Sequence, residues 1–384
     1  MSDTLEILER LISFDTTSRN ANLELVAWIE EFLAGHGIAA RRIPNADGTK
    51  ASLVARIGPA VDGGIVLCGH TDTVPVDGQP WDTDPFTLVE KDGLFYGRGT
   101  ADMKGFIASS LAAVPSLADA DLAKPITLAW SYDEEVGCLG APSLAADLLA
   151  NEPTPAFVII GEPTSMGIVR AHKGIRVTNT IITGLDAHSS QNQPSANAIM
   201  AAGRIVNHLA DLAIHFREQG VRVEGFVPQH TTTNVGTIEG GQAINIVPRQ
   251  AAFGWEIRPV PGEDPDAVFN GVVAFANDVV LPELRRQAPE ASINFEVAAD
   301  VPPLDPAGNA RAAEMLSTNF ALIEGTPVSF ASDAAHLQMS GLPSVLVGPG
   351  SIDQGHQPNE FIAREQLDLC DAFLGKLAAW ASAA

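Results

Sequence analysis

Imidazole and carboxylate side chains recur in this sequence in glycine-bearing loops and at the ends of apolar runs: His70, Asp102, Glu135, Glu162 and His356. Nitrogen and oxygen donors of this kind suit zinc, and also cobalt or manganese. Two histidines and three carboxylates are too many for one tetrahedral catalytic ion, which keeps a position open for water or substrate. They suit two ions if one carboxylate bridges, and paired ions about 3.5–4 Å apart can share and activate a water. His70 follows the apolar run at 64–68, and Asp72 lies two residues on. Side chains two apart on a strand share a face. The Asp72 carboxylate is therefore expected to hold the imidazole nitrogen that does not face metal. Glu134 and Glu135 are neighbours and point opposite ways in extended chain. One can bind metal while the other serves as general base, within about 3 Å of the water it deprotonates.

These residues need elements to hold them. Strand-like runs at 51–57, 64–68, 126–132 and 156–160 alternate with helical apolar spacing, which opens at 4–12 and 23–33. Such alternation predicts an α/β fold with a mostly parallel sheet, and in such sheets the site lies at the carboxyl ends of the strands. The texture changes at Gly174, where the sequence alternates with period two as a half-exposed antiparallel strand does. Helices at about 196–212 and 267–284 and strands at 231–238, 251–257 and 293–297 follow. Their β-α-β-β-α-β order is that of a ferredoxin-like α+β unit. The expected organisation is a catalytic domain over 1–173, an inserted domain over 174–300, and the rest of the catalytic domain over 301–384.

The composition is that of a globular chain, with 46% hydrophobic and 18% charged residues. Its formal net charge of −24 argues against nucleic acid and anionic membrane as partners. No apolar run reads as long enough to span a bilayer, and the first residues read as an amphipathic helix rather than a signal peptide. Cys68, Cys138 and Cys370 are scattered and imply no disulfide framework. A cytoplasmic location is expected. His36, His208, His215 and His230 lack partner motifs and read as structural or surface residues, while His172 and Lys173 fall at the entrance to the insertion.

Several longer stretches resemble one family. They are Gly69-His70-Thr71-Asp72, Tyr96-Gly97-Arg98-Gly99-Thr100-Ala101-Asp102-Met103-Lys104-Gly105, Asp133-Glu134-Glu135, Gly161-Glu162-Pro163, Ala187-His188-Ser189-Ser190, Ile257-Arg258-Pro259, and Gly348-Pro349-Gly350 through His356. Running through nearly the whole chain, they resemble the M20 family of dinuclear metallo-aminoacylases and peptidases, and most of all its acetylornithine-cleaving members. The resemblance implies two divalent ions per chain, zinc or cobalt. His70 and Glu162 would hold one, Glu135 and His356 the other, with Asp102 bridging. Asp72 would orient His70, and Glu134 would be general base and acid. Arg258 would read the substrate carboxylate, with Asn245 nearby, and His188 would reach the scissile carbonyl. The insertion would be the family's lid and dimerisation domain, making the protein a homodimer. A cis peptide is implied after Asp102. At Asp333, acetylornithine-cleaving members are aligned with glutamate; a shorter acid there could still pair with a δ-ammonium. The expected substrate is a small N-acyl amino acid, N2-acetyl-L-ornithine first, in arginine biosynthesis. N-acetylcitrulline, succinyl-diaminopimelate and peptides are the alternatives within the family.

Overall fold

The computed structural model describes residues 3–190 and 194–383. The chain divides into two compact units. One comprises Met1–Ala171, Leu304–Pro327 and Ser332–Ala384, the other His172–Pro303 and Val328–Ala331.

The first unit is built on a six-stranded sheet in the spatial order Ala40–Pro44, Ala51–Ile57, Ile126–Ser131, Ile65–His70, Phe157–Ile160, Ser344–Leu346. The last four strands run parallel. Ala40–Pro44 and Ala51–Ile57 join antiparallel to their neighbours. The parallel strands are short apolar runs because helices cover both faces, and every residue of Ile65–His70, Ile126–Ser131 and Phe157–Ile160 is buried. Leu8, Leu11, Ile12, Phe106, Leu367 and Phe373, from helices Asp3–Ile12, Gly105–Ala112 and Arg364–Ser382, pack into one core with strand residues Leu67, Leu128 and Ile159. Fully burying one such side chain stabilises by about 1.5–3 kcal/mol. The register sets His70 opposite Ser131, Cys68 opposite Ile160, and Leu346 opposite Ile160. Four strands thus end along one edge, and their following loops carry Asp72, Glu134 and Glu135, Glu162 and His356. The loops meet closely at Gly348, where a Cβ would stand 2.1 Å from the Gly161 carbonyl oxygen; any larger residue would force the two apart.

Two features were not legible in the hydrophobic pattern. Ala40–Pro44 is an edge strand without regular alternation. A small antiparallel sheet of Val89–Lys91, Leu94–Tyr96 and Phe361–Ala363 sets Phe361 opposite Tyr96. That pairing ties the segment after Tyr96, which leads to Asp102, to the segment that ends at Glu360.

The second unit has a four-stranded antiparallel sheet in the order Thr232–Gly240, Gln250–Arg258, Ile175–Thr183, Ser292–Val301. Helix Ala198–Gln219 and the helical run from Pro265 to Arg285 cover one face, burying Ile182, Ile205, Leu209, Phe253, Trp255 and Val272. The residues between them on the strands stay half-exposed, which explains the period-two texture. The 21-residue run Pro265–Arg285 is long and apolar enough to cross a membrane by length and composition, contrary to the expectation from sequence. Its Val272, Ala276, Val280 and Leu284 belong to the core of this unit. A short pair, Ala187–His188 with Ile246–Val247, stands beside the main sheet. The four residues Val328–Ala331 also belong to this unit, a return of the chain that the sequence did not suggest.

Candidate metal centre

His70, the last residue of its strand, is 1% exposed. Its Nε2 lies 3.0 Å from Asp102 Oδ1. The other Asp102 oxygen lies 3.2 Å from His356 Nε2, which is itself 3.0 Å from Glu135 Oε2. His70, Asp102 and Glu162 offer donor atoms within 4.8 Å of one another, and so do Asp102, Glu135 and His356. The five residues singled out from sequence are therefore brought together as two triads that share Asp102. The Asp102–Met103 peptide is cis, as the family resemblance implied.

The donor chemistry fits divalent cations. His70 Nδ1 bonds the backbone carbonyl of Asp72 at 3.0 Å. A carbonyl only accepts, so Nδ1 carries a proton, and Nε2 is the ring nitrogen that faces the Asp102 carboxylate. An imidazole nitrogen and a carboxylate oxygen set this close are the donor types that a divalent ion takes. Glu135 Oε1 and Glu162 Oε1 are buried with no hydrogen-bond partner among the described residues. Burial pushes the Glu162 and Glu135 carboxyls up, and repulsion from Asp102 adds to it. Burial pushes Asp102 up as well, but the bonds from His356 and His70 outweigh it and hold Asp102 below the usual carboxylate range. His356 is raised to about 10 by its bonds to Asp102 and Glu135. So many acids withdrawn from water call for compensating positive charge.

Glu134 stands beside both triads. Burial pushes its carboxyl well up, against the pull of His70 and with repulsion from Glu162 and Glu135. Its Oε1 accepts from the Cys138 thiol at 3.6 Å. A raised carboxyl at the edge of a metal-type donor set has the poise of a general base and acid.

Asp72 lies beside His70 through both its main chain and its carboxylate. Its carboxylate is 3.7 Å from His70 Nδ1, which is bonded instead by the Asp72 backbone carbonyl. The strand ends at His70, so strand alternation does not extend to residue 72. The carboxylate also reaches the neighbouring loop. Oδ1 accepts the backbone N–H of Glu134 at 3.1 Å, and Oδ2 accepts that of Glu135 at 3.3 Å and the Ser18 hydroxyl at 2.7 Å. Asp72 thus holds the peptides of Glu134 and Glu135, bonds His70 through its main chain and sets its carboxylate beside the same ring.

Asp333 also belongs to the first unit. It is 1% exposed, and Oδ2 accepts from Ser131 Oγ at 2.5 Å. Its Oδ1 has no hydrogen-bond partner among the described residues. Burial raises its carboxyl. Ser18, Gln79, Arg98 and Glu360, whose contacts support this centre, were missed as functional residues; Arg98 and Glu360 lie in or beside the family-like stretches, but nothing local marks either as a partner of the other.

The remaining candidates lie in the second unit. His188 Nδ1 bonds Ser190 Oγ at 2.8 Å, and the Ser189 N–H donates to the Asn245 carbonyl at 2.9 Å. The Ala187–His188 pairing therefore sets His188 and Asn245 side by side. Arg258 is half-buried and pairs with Glu256 at 3.2 Å. Lys173 donates to the His230 carbonyl at 2.8 Å; burial, and then Arg258, lowers its amine to about 8. His36, His208 and His215 each pack against a phenylalanine ring.

The pattern described as peptidase family M20/M25/M40 matches residues 66–380. An acetylornithine deacetylase from Myxococcus xanthus is 36% identical over 391 residues, covering 99% of this chain and 98% of that protein. An acetylornithine deacetylase from Proteus mirabilis (strain HI4320) is 35% identical, covering 94% of this chain and 89% of its own length. Among solved structures, a tripeptidase from Staphylococcus aureus subsp. aureus Mu50 superposes with a TM-score of 0.74 at 21% identity, covering 99% of this chain and 98% of that one.

Proposed function

The chain belongs to peptidase family M20/M25/M40 and is a metal-dependent amidohydrolase; from that premise we propose that it removes the acetyl group from the α-nitrogen of N2-acetyl-L-ornithine, giving L-ornithine and acetate in arginine biosynthesis. The observation that carries this reading is the pair of triads sharing Asp102, with Glu134 beside them. The full-length likeness to two acetylornithine deacetylases supports the substrate.

His70, Glu162 and Asp102 would hold one divalent ion, and Asp102, Glu135 and His356 a second, zinc or cobalt by donor type. Such ions lower the pKa of water and polarise the amide carbonyl. Glu134 accepts the proton as the water oxygen bonds the acetyl carbon. It returns that proton to the α-nitrogen as the carbon–nitrogen bond breaks, so acetate and the free amine leave. Its raised carboxyl suits both transfers. Asp72 keeps the Glu134 and Glu135 peptides in place throughout.

Recognition is assigned to four further residues. Arg258 would bind the substrate carboxylate through its planar fork, exchanging Glu256 for it. Asn245 would assist beside it. Asp333 Oδ1, buried and without a hydrogen bond, would take the δ-ammonium. His188 would stabilise the oxyanion that forms on the carbonyl, supplied from the second unit of a partner subunit in a homodimer. The three cysteines, all unpaired, support a reducing cytoplasm.

A substrate panel tests the proposal. Acetate or amine release is measured from N2-acetylornithine, N-acetylcitrulline, succinyl-diaminopimelate and dipeptides, with zinc or cobalt supplied. Acetylornithine should give the highest kcat/KM. A clear preference for succinyl-diaminopimelate or a dipeptide would overturn the substrate and leave the amide chemistry standing.

A further inference from the structure

Arg98 and Glu360 form an ion pair in which both side chains are 1% exposed, joined by Nη1 and Oε2 at 2.7 Å. The other Glu360 oxygen accepts the backbone N–H groups of Ala101 at 2.9 Å and Asp102 at 3.1 Å. Arg98 Nη2 donates to Gln79 Oε1 at 2.5 Å, and Gln79 Nε2 donates to the His356 carbonyl at 2.9 Å. The Arg98 guanidinium also lies over the Trp81 ring, 5.1 Å from its centroid, and the Trp81 N–H donates to Gln79 at 3.0 Å. One chain of bonds therefore runs from the Asp102 amide through Glu360, Arg98 and Gln79 to the His356 carbonyl. It grips both residues by their main chain and leaves their donor side chains out of the network.

Stability alone does not account for such a pair. Burying two charges costs much of what their attraction returns, and apolar replacements are often as stable. Its value lies in geometry. A guanidinium fork and a carboxylate have fixed directions, so the groups at the two ends are held at a fixed separation. His356 needs such a hold, because its φ of 62° is left-handed, a conformation that L-residues seldom adopt.

We propose that Gln79, Arg98 and Glu360 are positioning residues that fix the spacing of Asp102 and His356, and thereby set the affinity of the Asp102–Glu135–His356 triad for its ion. This rests on the two-ion reading above. Gln79 is the member bonded directly to His356, whereas Glu360 is bonded directly to Asp102, which both triads share.

Metal titration of the full chain tests this, with Co²⁺ absorbance as the readout and no turnover required. Wild type, stripped with chelator, should bind two ions. Gln79→Ala should weaken one of the two by about 10–100-fold, the usual range for residues that orient ligands, and leave the other unchanged. Glu360→Gln should weaken both. In a His356→Ala background, Gln79→Ala should have no further effect, because its route to the ion is gone. Gln79 is half-buried and outside the ion pair, so its variant keeps the test decisive if Glu360→Gln fails to fold. Wild-type affinity at both sites in folded Gln79→Ala would overturn the inference, as would an undiminished effect in the His356→Ala background. A wild type that saturates below two ions would instead refute the two-ion reading, and the network's role with it.

Discussion

Asp72 Oδ1 accepts the backbone N–H of Glu134 at 3.1 Å, so the loop after one strand fixes the peptide that carries the proposed general base on another. Its second oxygen does the same for Glu135. Asp72→Asn keeps the size but offers one acceptor for two amides, and turns its own N–H₂ toward a donor. An unsatisfied buried donor costs about 1–3 kcal/mol. The variant should lose metal affinity and kcat together, on the order of 10–100-fold each. Dialysis against a graded chelator series and steady-state kinetics measure the two. Full retention of both would remove Asp72 from the centre.

Glu134→Gln separates base from ligand. The amide cannot take a proton, yet it fills the same space. Metal content should stay at the wild-type level while turnover falls by roughly 10²–10⁴-fold or more, since one residue serves both proton transfers. Elemental analysis beside an acetate-release assay decides it. Loss of metal in this variant would mean that Glu134 and Glu135 have exchanged roles.

Arg258→Lys keeps the positive charge and gives up the two-pronged fork. KM for N-acetyl amino acids should rise with kcat little changed, the signature of an interaction made equally in ground and transition states. Wild type should already handle poorly a substrate whose carboxylate is replaced by an amide. Equal activity on acid and amide would show that Arg258 does not read the carboxylate, and its pairing with Glu256 would then be its resting role.

His188 lies in the unit that does not carry the triads. If it acts from a partner subunit, His188→Ala and Glu134→Ala proteins should each be nearly inactive alone. Refolded together, their mixed dimers contain one site with both residues intact, and part of the activity should return. Proven subunit exchange without recovery would place His188 in its own subunit's site or outside catalysis.

Much was legible in the sequence by itself. Short apolar runs between helices specified a mostly parallel sheet, because a strand covered on both faces must be apolar at every position. Period-two alternation from Gly174 marked a sheet with one covered face. The donor residues were visible as well, since each lies at the end of an apolar run or in a glycine-bearing loop. These signals are local: they depend on residues a few positions apart, whose geometry the backbone itself fixes.

Tertiary structure alone decided what those residues touch. Asp72 lies two residues from His70 yet serves Glu134 and Glu135, because the chain leaves the strand between them. Glu360 bonds the Asp102 amide across 258 residues of sequence. It does so only because Phe361 pairs with Tyr96 in a small sheet with no strong hydrophobic signature. The Arg98–Glu360 pair is likewise a product of burial, for nothing in a sequence marks which arginine will lose its water beside which glutamate. Directional bonds between distant segments depend on where the backbone has already been carried, and only the assembled fold supplies that.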